Sequence, residues 1–404
     1  MKEKYKIETR PYSHGTNVAL VETPTGETLP YPQFGLNAVW GTAPLADADI
    51  LPYNTPVFMV GMPDEITAIG AEGTLAEHAS LAFHNFTKQP VIYIRIEEGV
   101  DDAETIANLI GGVDVDGNPT GLNVAKIIEA TTGYDPSIVA CPRFSHHQEV
   151  RDAMLDAADV LEGDMWCDAF AVDAPRNFTD AVAMAELNDN IRFNVAYEDF
   201  IFQGEKYPTS SYFALIHGNY KVYESCSNEL MPLVESTSPR VDWRDGDANC
   251  LANKLNEKGI TCIIREKGNY KMHGVRGTST DPRFLYRHFT LLHKSMMQVV
   301  RDINYDMRDK NLDDDKLRYI FNQLEYRYEQ KVGATVNGQK VTQIPNFELV
   351  RDAVENTPEA LSNGAWGIGV KYGRYGVNEQ LYAVFMIDDT GSLTNTIQTI
   401  EGVE

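Results

Sequence analysis

The sequence predicts a mixed α/β protein in which a second α/β unit is inserted into the first and both chain ends run out as extended arms. Three observations predict it. Short apolar runs rich in β-branched residues alternate with helical patterns from Phe34 to Ala196, the order that a helix-flanked parallel sheet produces. A strand, a turn bearing Gly274 and Gly277, and the longest amphipathic stripe of the chain follow one another between Gly259 and Met307. The two ends are oppositely charged: the first ten residues carry Lys2, Lys4, Lys6 and Arg10 against Glu3 and Glu8, whereas Tyr375 to Glu404 holds no Lys or Arg.

Composition bounds the function classes. With 404 residues, 43% of them hydrophobic, the chain can bury cores in two or three domains. A formal charge of -24 argues against a nucleic-acid surface, which needs clustered Lys and Arg, and suits a basic partner instead. Cys141, Cys167, Cys226, Cys250 and Cys262 form no CxxC pair and no zinc-like spacing with His, so reduced, mostly buried thiols and no bound metal are expected. The opening MKEKYKIETRPYSHG lacks the apolar run of a signal peptide, and no later segment approaches membrane-spanning length. Synthesis in the cytosol and no membrane insertion are expected.

Taken in order, Met1 to Pro32 mixes charges with turn residues and reads as an arm, with Asn17 to Glu22 as a short strand. From Phe34 to Arg95 the pattern is strand, loop, strand, helix, strand. Leu36 to Ala43 comes first, then Val57 to Val60 fed by Asn54-Thr55-Pro56. A helix from Thr74 to Phe86 follows, with Leu75, Ala79, Ala82 and Phe86 on one face, and then the apolar strand Pro90 to Ile96. Glu97 to Gly112 is a helix with Asp101 and Asp102 at its acidic start. Asp114, Asp116 and Asn118 look like the opening of a calcium loop. Gly117 is misplaced and Ala125 stands where the closing Glu belongs, so no calcium is expected.

Strands at Ser137 to Cys141, Trp166 to Val172 and Arg192 to Ala196 alternate with helices at Gln148 to Leu161 and Asp180 to Asn188. Phe144-Ser145-His146-His147 follows the first of these strands, at the carboxyl end where open α/β sheets bind ligands. Ser145, His146 and Asp173 offer the residue types of a hydrolytic triad, but adjacent Ser and His cannot align their own side chains, and no G-x-S-x-G elbow is present. The adjacent His146 and His147 lack a third metal ligand at helical spacing. Glu198-Asp199 and Asp313-Asp314-Asp315 read as solvated acids, the latter opening a helix. Gln203 to Gly259 reads as loops and short helices, the last of them Asp247 to Glu257.

Ile260, Cys262 and Ile264 alternate with Thr261, Ile263 and Arg265 in a strand bounded by Gly259 and Gly268. Asp281-Pro282 reads as an N-cap acid followed by a proline at the first helical position. Leu285, Phe289, Leu292, Met296, Val299, Ile303 and Met307 then make one stripe, either a core helix or a seam for a partner, with core the default. Asp313 to Gln330 is a helix with Leu317, Ile320, Phe321, Leu324 and Tyr328 inward, VGATVNGQKVT is a hairpin around Asn337-Gly338, and Phe347 to Ala360 is a third helix. Gly364 to Gly369 lacks the Lys-Ser/Thr step and the following helix of a phosphate loop, and reads as close packing in a sheet. The apolar run Leu381 to Ile387 could, like Asn17 to Glu22, add a strand to a sheet or pack on its own body.

Several of these stretches resemble the sheath proteins of contractile tails. The run GITCIIREKGNYKMHGVRGTSTDPRFLYRHFTLLHKSMMQVVRDI, starting at Gly259, is similar to the beginning of their C-terminal domain. His14-Gly15 with Val18 to Glu22 and Thr25-Gly26 resembles their opening. Trp40-Gly41-Thr42-Ala43, Leu51 to Val57 and Gly73-Thr74-Leu75 resemble them at corresponding places, and NPTGLNVAKIIEA resembles the link into their outer domain. The resemblance is weakest from Gln203 to Asp247. It implies an inner α/β domain from residues 33–99 and 259–380, an inserted outer α/β domain at 100–258, and arms at 1–32 and 381–404. It also implies stacked hexameric rings around a tail tube that contract when a baseplate triggers them, in a virion assembled in the host cytoplasm.

The implied partners are further copies of the chain, the tail tube protein, and the baseplate and tail terminator proteins, with no catalytic residue and no cofactor. Val18, Ala19, Leu20, Val21 and Glu22, together with Leu381, Tyr382, Ala383, Val384, Phe385, Met386 and Ile387, are expected to pair with the sheet of neighbouring subunits. The basic stripe Arg283, Arg287, Lys294 and Arg301 is expected to face an acidic tube. Two readings compete: a cytosolic α/β hydrolase or transferase using the loop at Ser145 to His147, and a baseplate or adaptor protein that does not polymerise.

Overall fold

A computed structural model of the chain describes residues 36–85, 90–162, 169–219, 221–307, 310, 313–336, 339–350, 357 and 367–379. The first strand, β1 (Asn37–Thr42), is buried along its whole length, as a strand with neighbours on both sides and helices on both faces must be. It is followed by β2 (Pro56–Met59), α1 (Pro63–Ile69), α2 (Thr74–Asn85) and the fully buried β3 (Val91–Ile96). The helix α3 (Asp102–Ile110) starts five residues later than the expected Glu97, because the Asp101 side chain accepts the Glu104 N–H and caps it there. A hairpin of β4 (Gly112–Val113) and β5 (Pro119–Thr120) leads through a 3₁₀ stretch, Gly121–Ile127, into α4 (Ile128–Thr132). Then come β6 (Ile138–Ala140), α5 (Gln148–Glu162), β7 (Ala169–Asp173), α6 (Phe178–Leu187) and β8 (Phe193–Ala196).

After β9 (Asp199–Phe202), the stretch expected as loops and short helices forms α7 (Thr209–Asn219) but also the strands β10 (Glu205–Pro208) and β11 (Ser236–Ser238), which make a small sheet with β9 in the order β10-β9-β11. After α8 (Leu251–Glu257) come β12 (Ile260–Glu266) and β13 (Asn269–His273). Gly259 precedes β12 at φ 75°, and a Cβ there would lie 2.0 Å from the Gly277 carbonyl oxygen, so only glycine fits.

One eight-stranded sheet runs β13-β12-β8-β7-β6-β1-β3-β2, parallel through its middle and antiparallel only at its rims, β2 on β3 and β13 on β12. The alternation of side chains separates two cores. Ala38, Trp40, Ile92, Ile94, Cys262 and Ile264 meet α3, α5, α6 and α8 on one face; Val39, Val91, Tyr93 and Ile263 meet α2 and α7 on the other. The chain lays β3 beside β1, crosses back to place β6 on the other side of β1, and then adds β7, β8 and β12 outward. The winding therefore reverses between β1 and β6. Residues 100–258, expected to form an inserted outer domain, instead supply β6, β7 and β8 to the middle of the same sheet as β1 and β12. Parallel pairing of β6 with β1 and of β12 with β8 joins the two stretches rather than parting them.

A second unit follows: α9 (His288–Met307), α10 (Asp314–Gly333), the hairpin β14 (Ala334–Val336) with β15 (Gln339–Val341), and the pair β16 (Phe347–Val350) with β17 (Gly369–Tyr372). Its core is the predicted stripe: Leu292, Met296, Val299 and Ile303 of α9 against Ile320, Leu324 and Tyr328 of α10. Two expectations fail here. Asp281-Pro282 makes a turn rather than a helix start, with Asp281 Oδ1 accepting Arg283 N at 2.8 Å, and α9 begins at His288. Phe347 to Val350 is a strand, not the start of a helix, because Gly369–Tyr372 supplies a ladder partner that local periodicity cannot reveal. Phe86, Cys167 and the arm residues Val18 to Glu22 and Leu381 to Ile387 lie outside the described residues. Among the described residues no helix is long and apolar enough to cross a membrane.

Candidate functional site

The reversal of winding between β1 and β6 marks the place where open α/β sheets take ligands, outside the carboxyl ends of the strands. Here that edge is occupied by the chain's own charges. Beyond β6 the backbone turns through Arg143 at φ 68°, which brings its N–H to Asp173 Oδ2 at 2.8 Å. Asp173 ends β7 and is 1% exposed. Its Oδ2 also accepts the Ser145 hydroxyl at 3.1 Å and its Oδ1 the Ser210 hydroxyl at 2.7 Å, while Ser145 Oγ accepts Asp173 N–H at 2.8 Å. Arg143 Nε reaches Glu77 on α2 at 2.7 Å, bridging the reversal point. Arg176 bonds Asp199 and lies 3.7 Å from Asp173, and Lys206 meets the other Asp199 oxygen at 3.0 Å. Each of these cations meets a carboxylate.

This arrangement brings the triad types together in the wrong order. In a triad the histidine stands between the serine and the acid. Here Ser145 gives its one proton directly to Asp173, whereas His146 is exposed, its ring 4.0 Å from that of His147. Among the described residues no group of three His, Cys, Asp or Glu side chains is placed to hold a metal ion. Asp114 turns inward on its own hairpin, its Oδ1 accepting Asp116 N at 2.9 Å and Asn118 N at 2.8 Å.

Four of the segments that resemble sheath proteins meet in space, those holding Trp40, Asn54, Thr74 and Gly121. Trp40 Nε1 donates to Gly121 O at 3.0 Å, and Gly121 N donates to the Asn54 side chain at 2.8 Å. Thr42 and Thr74 exchange backbone-to-hydroxyl bonds at 3.0 and 3.3 Å. A Cβ on Gly41 would lie 2.1 Å from Thr74 Oγ1, so glycine there lets α2 sit on β1. Arg95, 3% exposed, holds the loop between β1 and β2 through the Ala46 and Leu51 carbonyls, both at 3.2 Å, with its guanidinium 4.0 Å over the Tyr53 ring.

The expected tube-facing stripe is not a surface feature. Arg287 is 4% exposed; it bonds Thr261 Oγ1 and the Gly274 carbonyl and lies 4.7 Å from the Phe213 ring centre, and burial lowers its pKa. Lys294 is 3% exposed. Arg301 pairs with Asp135 at 3.1 Å, and only Arg283, paired with Asp281 at 2.7 Å, is well exposed. The stripe fails because Thr290, Leu291 and Ser295 are buried as well as the apolar face, so α9 is enclosed on more than one side. Beside α9, a cavity of about 560 Å³ is lined by His293, Met296, Tyr328, Ile368 and Tyr372. Gly369 opens β17 rather than a helix, whereas Gly364 to Trp366 lie outside the described residues.

No family model matches the chain. Over 306 residues it is 26% identical to the tail sheath protein of Escherichia phage P2, covering 72% of this chain and 76% of that one. It is 23% identical to the major tail sheath protein of Serratia phage KSP20, covering 78% and 81%. The chain is a homologue of tail sheath proteins. Its fold matches the contracted helical sheath of the anti-feeding prophage with a TM-score of 0.62 at 14% identity, over 93% of this chain and all of that one. A chain of the anti-feeding prophage baseplate matches with a TM-score of 0.65 at 14% identity, over 94% and 99%.

In this sheath homologue, sequence reasoning misplaced one acid pair. Glu198 and Asp199, read as solvated, are 0% and 5% exposed. Glu198 Oε1 accepts the Ile263 N–H, tying the end of β8 to β12, and burial pushes its pKa up to about 8, so it carries a proton at neutral pH. The signal was available: two acids standing between Val195-Ala196-Tyr197 and Phe200-Ile201-Phe202 interrupt an apolar run that has no solvent face.

Proposed function

We propose that this chain is the structural subunit of a contractile tail sheath, which polymerises as stacked hexameric rings around a tail tube and contracts to drive the tube through the host envelope. The observation that carries the reading is the kinship with a tail sheath protein along 72% of the chain. The ionic cluster at the carboxyl edge fits it, because the charged side chains there pair with one another. On this reading Val18 to Glu22 and Leu381 to Ile387 add strands to sheets of neighbouring subunits, and backbone pairing of that kind survives rotation of the bodies it links. The α9–α10 unit, from which residues 381–404 continue, forms the layer nearer the tube, and the eight-stranded body the outer layer. The tail tube, baseplate and tail terminator proteins are its other partners, and the virion its location after assembly in the host cytoplasm. The energy for contraction resides in the assembly itself, as a metastable set of interfaces exchanged for a larger one.

Negative-stain electron microscopy of the expressed protein tests the proposal. Long tubular polymers are expected; discrete compact oligomers at all concentrations refute it. The likeness to a baseplate chain favours a second reading, a component of the baseplate, for which short closed rings without tubes are the expected image.

A further inference from the structure

The last described segment, residues 373–379, crosses back over the connector between β13 and α9. Arg276 grips Glu379 with two nitrogens, Nε to Oε1 at 2.9 Å and Nη2 to Oε2 at 2.8 Å, and the Tyr286 hydroxyl donates to Oε2 at 3.1 Å. Arg276 and Tyr286 are themselves bridge partners, and Gly277 N donates to Leu285 O at 3.0 Å, so the two limbs of the connector present one fork to the carboxylate. Five residues earlier, the Arg374 guanidinium lies 4.3 Å from the Phe289 ring centre and bonds the Arg283 carbonyl. The segment is thus fastened at both ends to the connector that joins the sheet to the helical unit. The Arg276 and Glu379 side chains are 31% and 24% exposed, a partly buried pair whose two-point geometry fixes direction as well as distance. The fork lowers the pKa of Glu379, which keeps it charged.

We propose that the Arg276–Tyr286–Glu379 clamp sets where the chain beyond residue 380 leaves the subunit, and so presents that segment to a second copy of this chain only while the connector holds its present conformation. The inference rests on the sheath reading above. Tyr375 to Glu404 contains no Lys or Arg, so Glu379 has to find its cation outside its own segment, and the connector supplies it. The apolar run Leu381 to Ile387 begins two residues after the clamp, a spacing that tethers its start within about 7 Å of Glu379.

The test uses full-length R276E, E379R and the double charge swap beside the unaltered chain, with three readouts: the critical concentration for polymer formation, amide exchange over residues 274–289, and thermal unfolding. Each single variant is expected to raise the critical concentration roughly tenfold or more and to speed exchange in the connector, with the melting temperature of the body unchanged. The double swap is expected to return both readouts to within roughly threefold of the unaltered chain. Single variants that assemble normally, or a double swap no better than the singles, overturn the proposal. If the unaltered chain forms no polymer, the sheath reading fails and the neighbouring copy with it. Exchange then still decides the clamp, and unchanged protection in R276E shows that it does not exist.

Discussion

Glu198 is an acid in a place where ionisation is costly, and its effect on stability follows from that. Its folded-state pKa is raised from 4.5 to about 8. Below pH 4.5 both folded and unfolded states are protonated and nothing is lost; above it the unfolded state ionises first and binds fewer protons, so stability falls with rising pH until the folded state also ionises near pH 8. The slope in that window is limited to ~1.4 kcal/mol per pH unit. Glu198→Gln keeps an acceptor for Ile263 and removes the titration, so denaturant unfolding should show the variant gaining on the parent chain from pH 5 to pH 8. Parallel losses in both would contradict this account. Arg287 is the opposite case, a buried charge engaged through both of its terminal nitrogens. Arg287→Met leaves the Thr261 hydroxyl and the Gly274 carbonyl without their guanidinium and should cost about 2–4 kcal/mol in thermal or denaturant unfolding. Arg287→Lys should recover only part of that, since an ammonium cannot span both acceptors while stacking on Phe213.

At the scale of elements, the seam between α9 and α10 is where the second unit is held. Leu324 is fully buried there among Leu292, Met296 and Tyr328, whose hydroxyl donates to the Met296 carbonyl at 2.7 Å. Leu324→Ala should destabilise the unit by ~3 kcal/mol through lost transfer energy and the void it leaves, read as early loss of amide protection in α9 and α10 relative to β3 and β12. The seam was legible because a stripe at steps of three and four survives in the sequence whatever packs on it. β3 and β12 were legible for a related reason: a strand covered on both faces must be apolar at nearly every position, as Val91–Ile96 is. What could not be read were elements whose reason lies far along the chain. Phe347–Val350 takes strand form from Gly369–Tyr372, and β9 takes its neighbours from β10 and β11, the latter more than thirty residues away. The start of α9 was misplaced because the Asp281-Pro282 signal is spent on a turn within the connector.

At the scale of the whole molecule, the α/β class and the order of the main-sheet strands from β1 to β8 followed from alternation, but α1, the β4–β5 hairpin and the partition into an inner and an inserted domain did not. Alternation says that strands are parallel and helix-covered; it does not say whether a returning strand opens a new sheet or joins the old one, and β6 joins β1. The candidate site was legible only by position. The sequence pointed to the loop after β6, and the loop does stand at the carboxyl edge, yet its chemistry depended on Glu77, Arg176, Asp199 and Lys206 arriving from four other stretches of chain. The joining of β6 to β1 has a mechanical result. With eight strands laced edge to edge from β13 to β2, the body has no internal seam along which to shear. On the sheath reading, a torque taken up at one rim is handed to the other as in a gear tooth, and the connector of residues 274–287 between β13 and α9 is the covalent joint about which the two units turn.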